Sequence, residues 1–415
     1  MEELNTQPNV LDTLEARGYI AQSTDLEAVR KMLEKPGVKF YIGFDPTADS
    51  LHVGHFIQMM ILAHMQRAGH YPIALLGGGT GMIGDPSGRS DLRQVMNLET
   101  VQHNVSKFRK QMEILVDFSE GKGQVVDNAS WLLDLNYIEF LRDIGTHFSV
   151  NRMLTAEAYK TRMEQGLTFI EFNYMLLQAY DFYRLYEDYG CKLQLGGNDQ
   201  WSNIIAGVDL IRRKTGNFDA EGLTTNLLLN SEGVKMGKTA NGAVWLDEEK
   251  MPVYDFYQYW RNVDDADVIT CLKLLTFLDL SEIAEYEKLE GSEINVAKQR
   301  LAFEVSKIVH GEEKAKAAET QAYEIFVQGG RSDDMESTEI QSTDLASGLG
   351  LLNLLVEIGF ASSNGEGRRL VQQGGISINN KTINDFHYVV TESDFEDGEA
   401  IVRRGKKKHH RLVLA

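Results

Sequence analysis

Only two of the 415 residues are cysteine, Cys191 and Cys271, and both sit in segments that read as buried. That scarcity excludes a disulfide framework and a thiolate metal cluster, and it fits a reducing compartment, the cytoplasm. Long apolar runs are missing as well. The most apolar stretch, "FIQMMILAHM", is too short and too interrupted to cross a bilayer, so no membrane partner is expected. The opening "MEELNTQPNVLDTLEARG" carries acidic residues and no apolar core, which argues against a signal peptide. Positive charge is scarce overall. A net charge of -19 excludes a surface that is basic all over, and with it a general nucleic-acid glove or a DNA binder. The basic residues instead gather at the end, in "RRGKKKHHRLVLA", while the earlier "SDDMESTEIQSTD" is acidic and rich in serine and threonine. Acid and base are segregated along the chain, and segregation hints at function.

The length points to more than one domain. "VKFYIGF" is rich in β-branched and aromatic residues and reads as a strand. After "DPTAD", Ser50 is expected to cap a helix running through "LHVGHFIQMMILAHMQRA" to Gly69. The apolar run "YPIALLGGG" follows as a buried strand. Strand, helix, strand makes a βαβ unit, and ligands of such sheets bind beyond the carboxyl ends of the strands. Residues 95 to 190 read as a helical insertion, after which "CKLQLGG" resumes the sheet. From Met251 to Val327 apolar residues recur at helical spacing. "QGGRSDDMESTEIQSTD" is linker-like, and Leu349 to Ala415 reads as a compact α/β module with a helix, a basic turn "NGEGRRLVQQGG" and short strands.

Within this frame, "ADSLHVGH" places His52 and His55 three apart around Gly54 at a helix start. A metal site, ordinary first-turn polar residues and a phosphate grip all remain open. Helical zinc pairs favour an i,i+4 spacing with a nearby glutamate, which is absent here. A helix N-terminus offers unpaired N–H groups and positive potential, which suits phosphate. Far downstream, "SEGVKMGKTANG" brings Lys235 and Lys238 to either side of Gly237. The loop is one residue too short for a Walker A motif. Paired ammoniums on a loop suit neutralisation of a departing pyrophosphate, although a solvated surface loop has the same composition. Tyr174, Gln178 and Asp181 follow i, i+4, i+7 and share one helix face, either a polar pocket wall or simply the solvent side. Asp199 and Gln200 could bind a ligand or cap the helix behind them. The basic end could grip RNA or only solubilise the chain.

Taken in order, "YIGFDPTADSLHVGH", "GDPSGR", "YMLLQAYDF", "GGNDQW" and "KMGKT" resemble the signatures of class I aminoacyl-tRNA synthetases, and among these the bacterial tyrosyl enzymes. The resemblance spans the chain. It implies a Rossmann-like parallel-sheet α/β catalytic domain with a helical insertion over residues 1–247. An α-helical domain (248–328), an acidic linker (329–348) and a small α/β S-four type RNA-binding domain (349–415) would follow. It implies L-tyrosine, ATP and tRNA(Tyr) as substrates, with magnesium held mainly through the phosphates and no other cofactor. A homodimer built through the insertion is implied too.

By the same resemblance, Thr47 and His52 hold the phosphates, while His55 and Gly54 pack at the nucleoside. Gly43, Asp45, Gly197 and Asp199 belong to the ATP site. Lys235, Lys238 and Thr239 close over the leaving pyrophosphate, joined by Arg89 and Arg93. Asp85, Tyr174 and Gln178 meet the tyrosine ammonium, Gln200 also reaches tyrosine, and Tyr41 with Asp181 receives its hydroxyl. Arg368, Arg369, Lys406, Lys407, Lys408 and Arg411 would contact tRNA. Gly237 departs from the usual serine, Ile42 from a common cysteine and Arg89 from a common lysine, and Gln58 is another variable position. Two rivals follow from these residues: a tryptophan enzyme, and an RNA-binding regulator on an inactive synthetase scaffold.

Overall fold

The computed structural model describes residues 9–87, 96–239, 242–327, 337–341, 345, 348–379, 381–395, 398–405 and 408–414. It divides into two compact units, residues 1–315 and 316–415.

The first unit is organised by a six-stranded sheet in the order β1-β6-β5-β2-β3-β4. Its strands are β1 (Ile20–Ser23), β2 (Lys39–Phe44), β3 (Tyr71–Leu76), β4 (Gln124–Asp127), β5 (Leu193–Gly197) and β6 (Glu221–Thr225). All neighbours pair in parallel except β1, which runs antiparallel to β6. "YPIALL" is buried along nearly its whole length, as a strand covered on both faces must be. In β2, Tyr41 pairs with Ile73 on one side and Gln194 on the other, so the sheet grows from β2 in both directions. Such a reversal opens a crevice at the carboxyl ends of β2 and β5.

Three readings of the sequence need correction in this unit. Residues 95–190 are not helical throughout, since "QVVD" forms β4, a parallel edge strand of only four residues. Ser50 does not cap the helix. Leu51 and Val53 are first drawn into an extended pairing with Leu246 and Val244, the Ser50 hydroxyl donates to the Leu51 carbonyl, and the helix begins at Val53 with His52 as its cap. The helices between Val253 and His310 belong to the first compact unit and are not a domain apart. Buried Arg17, near the N-terminus, donates to the carbonyls of Lys273 (2.9 Å) and Thr276 (3.0 Å) and ties them in. Among the described residues no helix is long and apolar enough to cross a membrane.

The second unit holds a five-stranded sheet with its own apolar core. β9 (Ser337–Ile340) falls in the stretch read as a linker, yet it pairs in parallel with the last strand. Ile340 and Leu345 are buried in that core, which explains why two apolar residues punctuate an acidic segment. After β10 (Leu349–Gly350) come β11 (Ile376–Ile378), β12 (Lys381–Thr382), β13 (Val389–Val390), β14 (Glu399–Arg404) and β15 (Lys408–Leu414). The sheet order is β12-β11-β14-β15-β9, with β10 and β13 paired separately. "NGEGRRLVQ" is a helix and not a turn, because Ser363 accepts from Glu366 N–H and caps it. The basic end is likewise no tail: alternation in "RLVL" buries Leu412, and β15 lies inside the sheet.

Candidate active site

The crevice is a cavity of about 350 Å³ at the carboxyl ends of β2 and β5. Its floor is Tyr41 and Gly43 of β2 and Gly197 of β5, with Asp45 and Thr47 just beyond β2. His52, Gly54 and His55 line one side, Asp199 and Gln200 another, and Lys235 approaches from the later loop. Asp85, Tyr174, Gln178 and Asp181 close the far end. Residues separated by almost 200 positions thus meet at one strand edge.

The two histidines cap each other. His52 Nδ1 accepts from Gly54 N–H at 2.9 Å, and His55 Nδ1 accepts from His52 N–H at 3.2 Å. Their rings stack with centroids 4.0 Å apart. A ring nitrogen that accepts carries no proton, so in both neutral imidazoles the proton sits on Nε2. Each ring is therefore fixed as an Nε2–H donor. Gly54 is needed for this arrangement, since a Cβ there would stand 2.7 Å from His52 Cε1.

At the far end, Asp181 is almost fully buried and accepts from Trp131 Nε1 (2.7 Å) and Asn128 Nδ2 (2.9 Å). Burial pushes its carboxyl up to about 7, against the lowering effect of those two donors. The hydroxyl of Tyr41, also buried, has no hydrogen-bond partner among the described residues, and burial followed by the nearby Asp181 raises its pKa well above the ordinary range. A buried hydroxyl without a partner is rare enough to require a reason. Asp85 accepts from Gln200 Nε2 at 2.6 Å and from Ser87 N–H at 2.9 Å, and burial raises its pKa. Tyr174 is buried and donates to Asp45 at 3.0 Å. The polar row on the helix Phe169–Tyr189 faces this cavity and not solvent. Three carboxylates in so small a space favour a cationic group.

Neither Asp199 nor Gln200 caps the helix Trp201–Thr215 with its side chain. Asp199 instead accepts from Lys235 Nζ at 3.2 Å. Lys238 and Thr239 form β7, paired with β8 (Gly242–Ala243). Arg89 and Arg93 lie outside the described residues, as do Lys406 and Lys407. In the second unit Arg368 and Arg369 are exposed on the helix Asn364–Gln372, with Arg368 4.3 Å over the Phe386 ring. Lys408 is exposed at the start of β15, whereas Arg411 is paired with Glu399 at 3.5 Å.

Sequence reading missed Asn128 and Trp131, the two donors that hold Asp181. They follow β4, and the overlooked strand hid the fact that its carboxyl end also opens on the crevice. Gln194, buried in the cavity wall with an Oε1 that has no partner among the described residues, was missed for lack of any local signal.

Comparison with known proteins bears directly on this arrangement. Residues 33–327 match the family "tRNA synthetases class I (W and Y)", and residues 326–412 match the "Tyrosine–tRNA ligase SYY-like C-terminal domain". A protein of Acetivibrio thermocellus named Tyrosine–tRNA ligase is 59% identical over 98% of this chain and 99% of its own length. One of Clostridium perfringens with the same name is 58% identical over 98% of this chain and 100% of its own. The crystal structure of a C-terminally truncated Aspergillus nidulans mitochondrial tyrosyl-tRNA synthetase superposes with a TM-score of 0.68 at 30% identity. That match covers 78% of this chain and 95% of the other. The chain belongs to the class I tRNA synthetases of the tryptophan and tyrosine kind.

Proposed function

We propose that this chain is a tyrosine–tRNA ligase. A carboxylate oxygen of L-tyrosine attacks the α-phosphorus of ATP, the bond to the bridging oxygen breaks, and pyrophosphate leaves with the electron pair. A ribose hydroxyl at the 3′ end of tRNA(Tyr) then attacks the activated carbonyl carbon, and AMP departs. Magnesium enters with ATP, carried by phosphate oxygens and water.

The observation that carries the reading is the pairing of two unlike ends in one cavity. At one end the Tyr41 phenol, without a partner among the described residues, stands beside the Asp181 carboxylate, which suits a substrate hydroxyl. At the other, two imidazoles with fixed Nε2–H groups and the Lys235 ammonium suit phosphate. Between them Asp85, Tyr174, Gln178 and Gln200 receive the ammonium and backbone of the amino acid. Asp199 and Gly197 take the ribose, with Gly43, Asp45, Gly54 and His55 around the nucleoside. Thr47 and His52 meet the α-phosphate as it becomes five-coordinate, and Lys235, Lys238, Thr239, Arg89 and Arg93 meet the pyrophosphate. Positioning and charge stabilisation carry the rate, since no covalent intermediate with the protein is involved. A site that hydrogen-bonds the substrate hydroxyl also rejects phenylalanine, whose arrival would leave the buried polar groups unpaired. Tyrosyl-tRNA synthetases are the established example of that effect.

The chain acts as a homodimer. Tyr137, Ile138, Val150, Met163, Phe169 and Ile170 are all exposed within one stretch of consecutive helices, and Phe169 is 70% exposed. Exposed apolar side chains gathered in one such stretch suit an interface. The second unit binds tRNA through Arg368, Arg369 and Lys406 to Lys408, with Arg411 contributing less because Glu399 already neutralises it. Free, buried Cys191 and Cys271 suit the cytoplasm. The experiment is tyrosine-dependent ATP–pyrophosphate exchange. Exchange with tyrosine and not tryptophan supports the assignment, and exchange with neither, alongside retained tRNA binding, favours a regulator on an inactive scaffold.

A further inference from the structure

The loop that carries Lys235 has its own internal order. Asn230 N–H donates to the Val234 carbonyl at 2.9 Å, and Met236 N–H donates to the Leu228 carbonyl at 2.9 Å. Leu229 and Lys235 therefore face each other across a small antiparallel hairpin. A hairpin of this size is marginal by itself in water, so what it leans on decides where its lysine sits.

It leans on the helices that follow. The Asp267 carboxylate, at the start of the helix Val268–Leu275, accepts Ser231 N–H at 2.7 Å. A carboxylate at a helix cap normally turns back onto its own helix. Asp267 makes no such bond, although it is only 6% exposed, and its reach is spent on the loop. On the other flank of Lys235, Gly237 N–H donates to the hydroxyl of Tyr259 at 3.1 Å. Between these two points Cys271 Sγ approaches Met236 Sδ at 3.8 Å. A groove of about 380 Å³ between loop and helices is lined by Val234, Lys235 and Met236 on one side and Gln258, Tyr259 and Asp267 on the other.

Gly237 is also confined from the opposite side. It takes φ +85°, and a Cβ there would lie 3.0 Å from Val53 Cβ, at the first turn of the histidine helix. One loop residue is thus wedged between the imidazole helix and Tyr259.

We propose that Asp267 and Tyr259 are positioning residues for the activation step. They clamp the loop backbone on both sides of Lys235 and so set where its ammonium meets the leaving pyrophosphate. The proposal rests on the reading of Lys235 given above. Neither residue lines the cavity. A misplacement of about 1 Å at a charge-stabilising group can reduce a rate on the order of 100-fold.

The test compares single-turnover adenylate formation and tyrosine affinity in full-length wild type, Asp267→Ala, Asp267→Asn, Tyr259→Phe, Lys235→Ala and the double variant Asp267→Ala/Lys235→Ala. Asp267→Ala should slow adenylate formation by roughly tenfold or more while tyrosine affinity holds. Asp267→Asn should restore most of the rate, because an amide oxygen accepts the same N–H. Tyr259→Phe keeps the ring, loses only the acceptor, and should slow the step several-fold; it serves as the probe if Asp267→Ala does not fold. In the Lys235→Ala background the Asp267→Ala effect should shrink to about twofold or less, as it must if the carboxylate works through that lysine. Wild-type rates in both Asp267→Ala and Tyr259→Phe would overturn the clamp while leaving the Lys235 reading intact, provided Lys235→Ala is slow. Parallel losses of rate and tyrosine affinity, or an undiminished effect in the double variant, would overturn it as well. A normal rate in Lys235→Ala would remove the reading on which the clamp depends, and the clamp with it.

Discussion

Replacing Tyr41 with phenylalanine deletes one oxygen, and the geometry gives that oxygen opposite effects in the free and loaded protein. In the free protein the hydroxyl is buried without a partner among the described residues. Leaving such a group unpaired costs about 1–3 kcal/mol, and phenylalanine removes that cost without changing the ring that packs against Phe182. The free variant should therefore be more stable. An unfolding entropy of about 2.1 cal/mol/K per residue over residues 1–315 makes about 0.66 kcal/mol/K, so each kcal/mol moves Tm by about 1.5 °C. The expected rise is roughly 1.5–4.5 °C. With tyrosine bound the sign reverses. The wild-type hydroxyl gains its partner only when the substrate phenol arrives, so the same 1–3 kcal/mol appears as lost affinity in the variant, about 5- to 150-fold. Phenylalanine brings no hydroxyl, and its affinity should hold or rise slightly. Differential scanning calorimetry of the free protein and equilibrium titration with the two amino acids measure all three quantities. A lower Tm in the free variant, or unchanged tyrosine affinity, would refute the reasoning.

Four other outcomes follow from named contacts. His52→Ala should slow adenylate formation far more than it weakens tyrosine binding, because the role proposed for the ring is to meet phosphate; equal losses in both would contradict that role. Tyrosine affinity should strengthen as pH rises through about 7 and then level off, because the substrate hydroxyl donates best to ionised Asp181, whose carboxyl burial has raised to about 7; a flat profile from pH 6 to 8 would count against it. The same shift makes Asp181 favour the folded free protein most below the ordinary carboxylate range, a contribution lost as pH rises through about 7. Gly237→Ser places a side chain at φ +85° against Val53, at about 1–2 kcal/mol for the left-handed backbone alone, and should slow pyrophosphate exchange at constant tyrosine affinity. Two truncations should both retain exchange and lose tRNA charging, but the one ending at Gly348 should associate beyond the dimer in sedimentation, since it strips the partners from β9, Ile340 and Leu345, whereas the one ending before Ser337 should stay dimeric.

Much of the site was legible because its residues obey periods that a sequence displays. Tyr174, Gln178 and Asp181 stand one helical turn apart amid apolar neighbours, and burial of that row inside a cavity is the outcome such a pattern allows. The all-apolar "YPIALL" announced a strand covered on both faces. Asp45 to His55 were legible as a strand-to-helix crossover, whose carboxyl end is where parallel sheets bind ligands. What escaped were short elements whose stability comes from partners far away. Four residues, "QVVD", carry no readable period, and β4 exists because β3 offers a free parallel edge. "STEI" looks like linker until β15 pairs with it. Ser50 is the better cap by propensity, yet Val244 and Leu246 hold the preceding backbone extended and hand the cap to His52.

That last substitution of tertiary pairing for local preference has a chemical consequence. A serine cap would have satisfied the first N–H groups with a hydroxyl and left both imidazoles free to rotate or to accept a proton on either nitrogen. With His52 as the cap, its Nδ1 is committed to Gly54 N–H and the Nδ1 of His55 to His52 N–H, so the two Nε2–H donors are fixed before any ligand arrives. The hand-over is made by residues 244 to 246, which directly follow the Lys235 hairpin and β8. Val244 N–H also donates to the Gly237 carbonyl at 2.8 Å, so the segment that shapes the imidazole cap is bonded to the loop that carries the ammoniums. The two halves of the site proposed to meet phosphate are therefore joined through three residues of extended backbone. Under the proposed reading, that coupling is what would let motifs almost 200 residues apart in sequence act on one triphosphate.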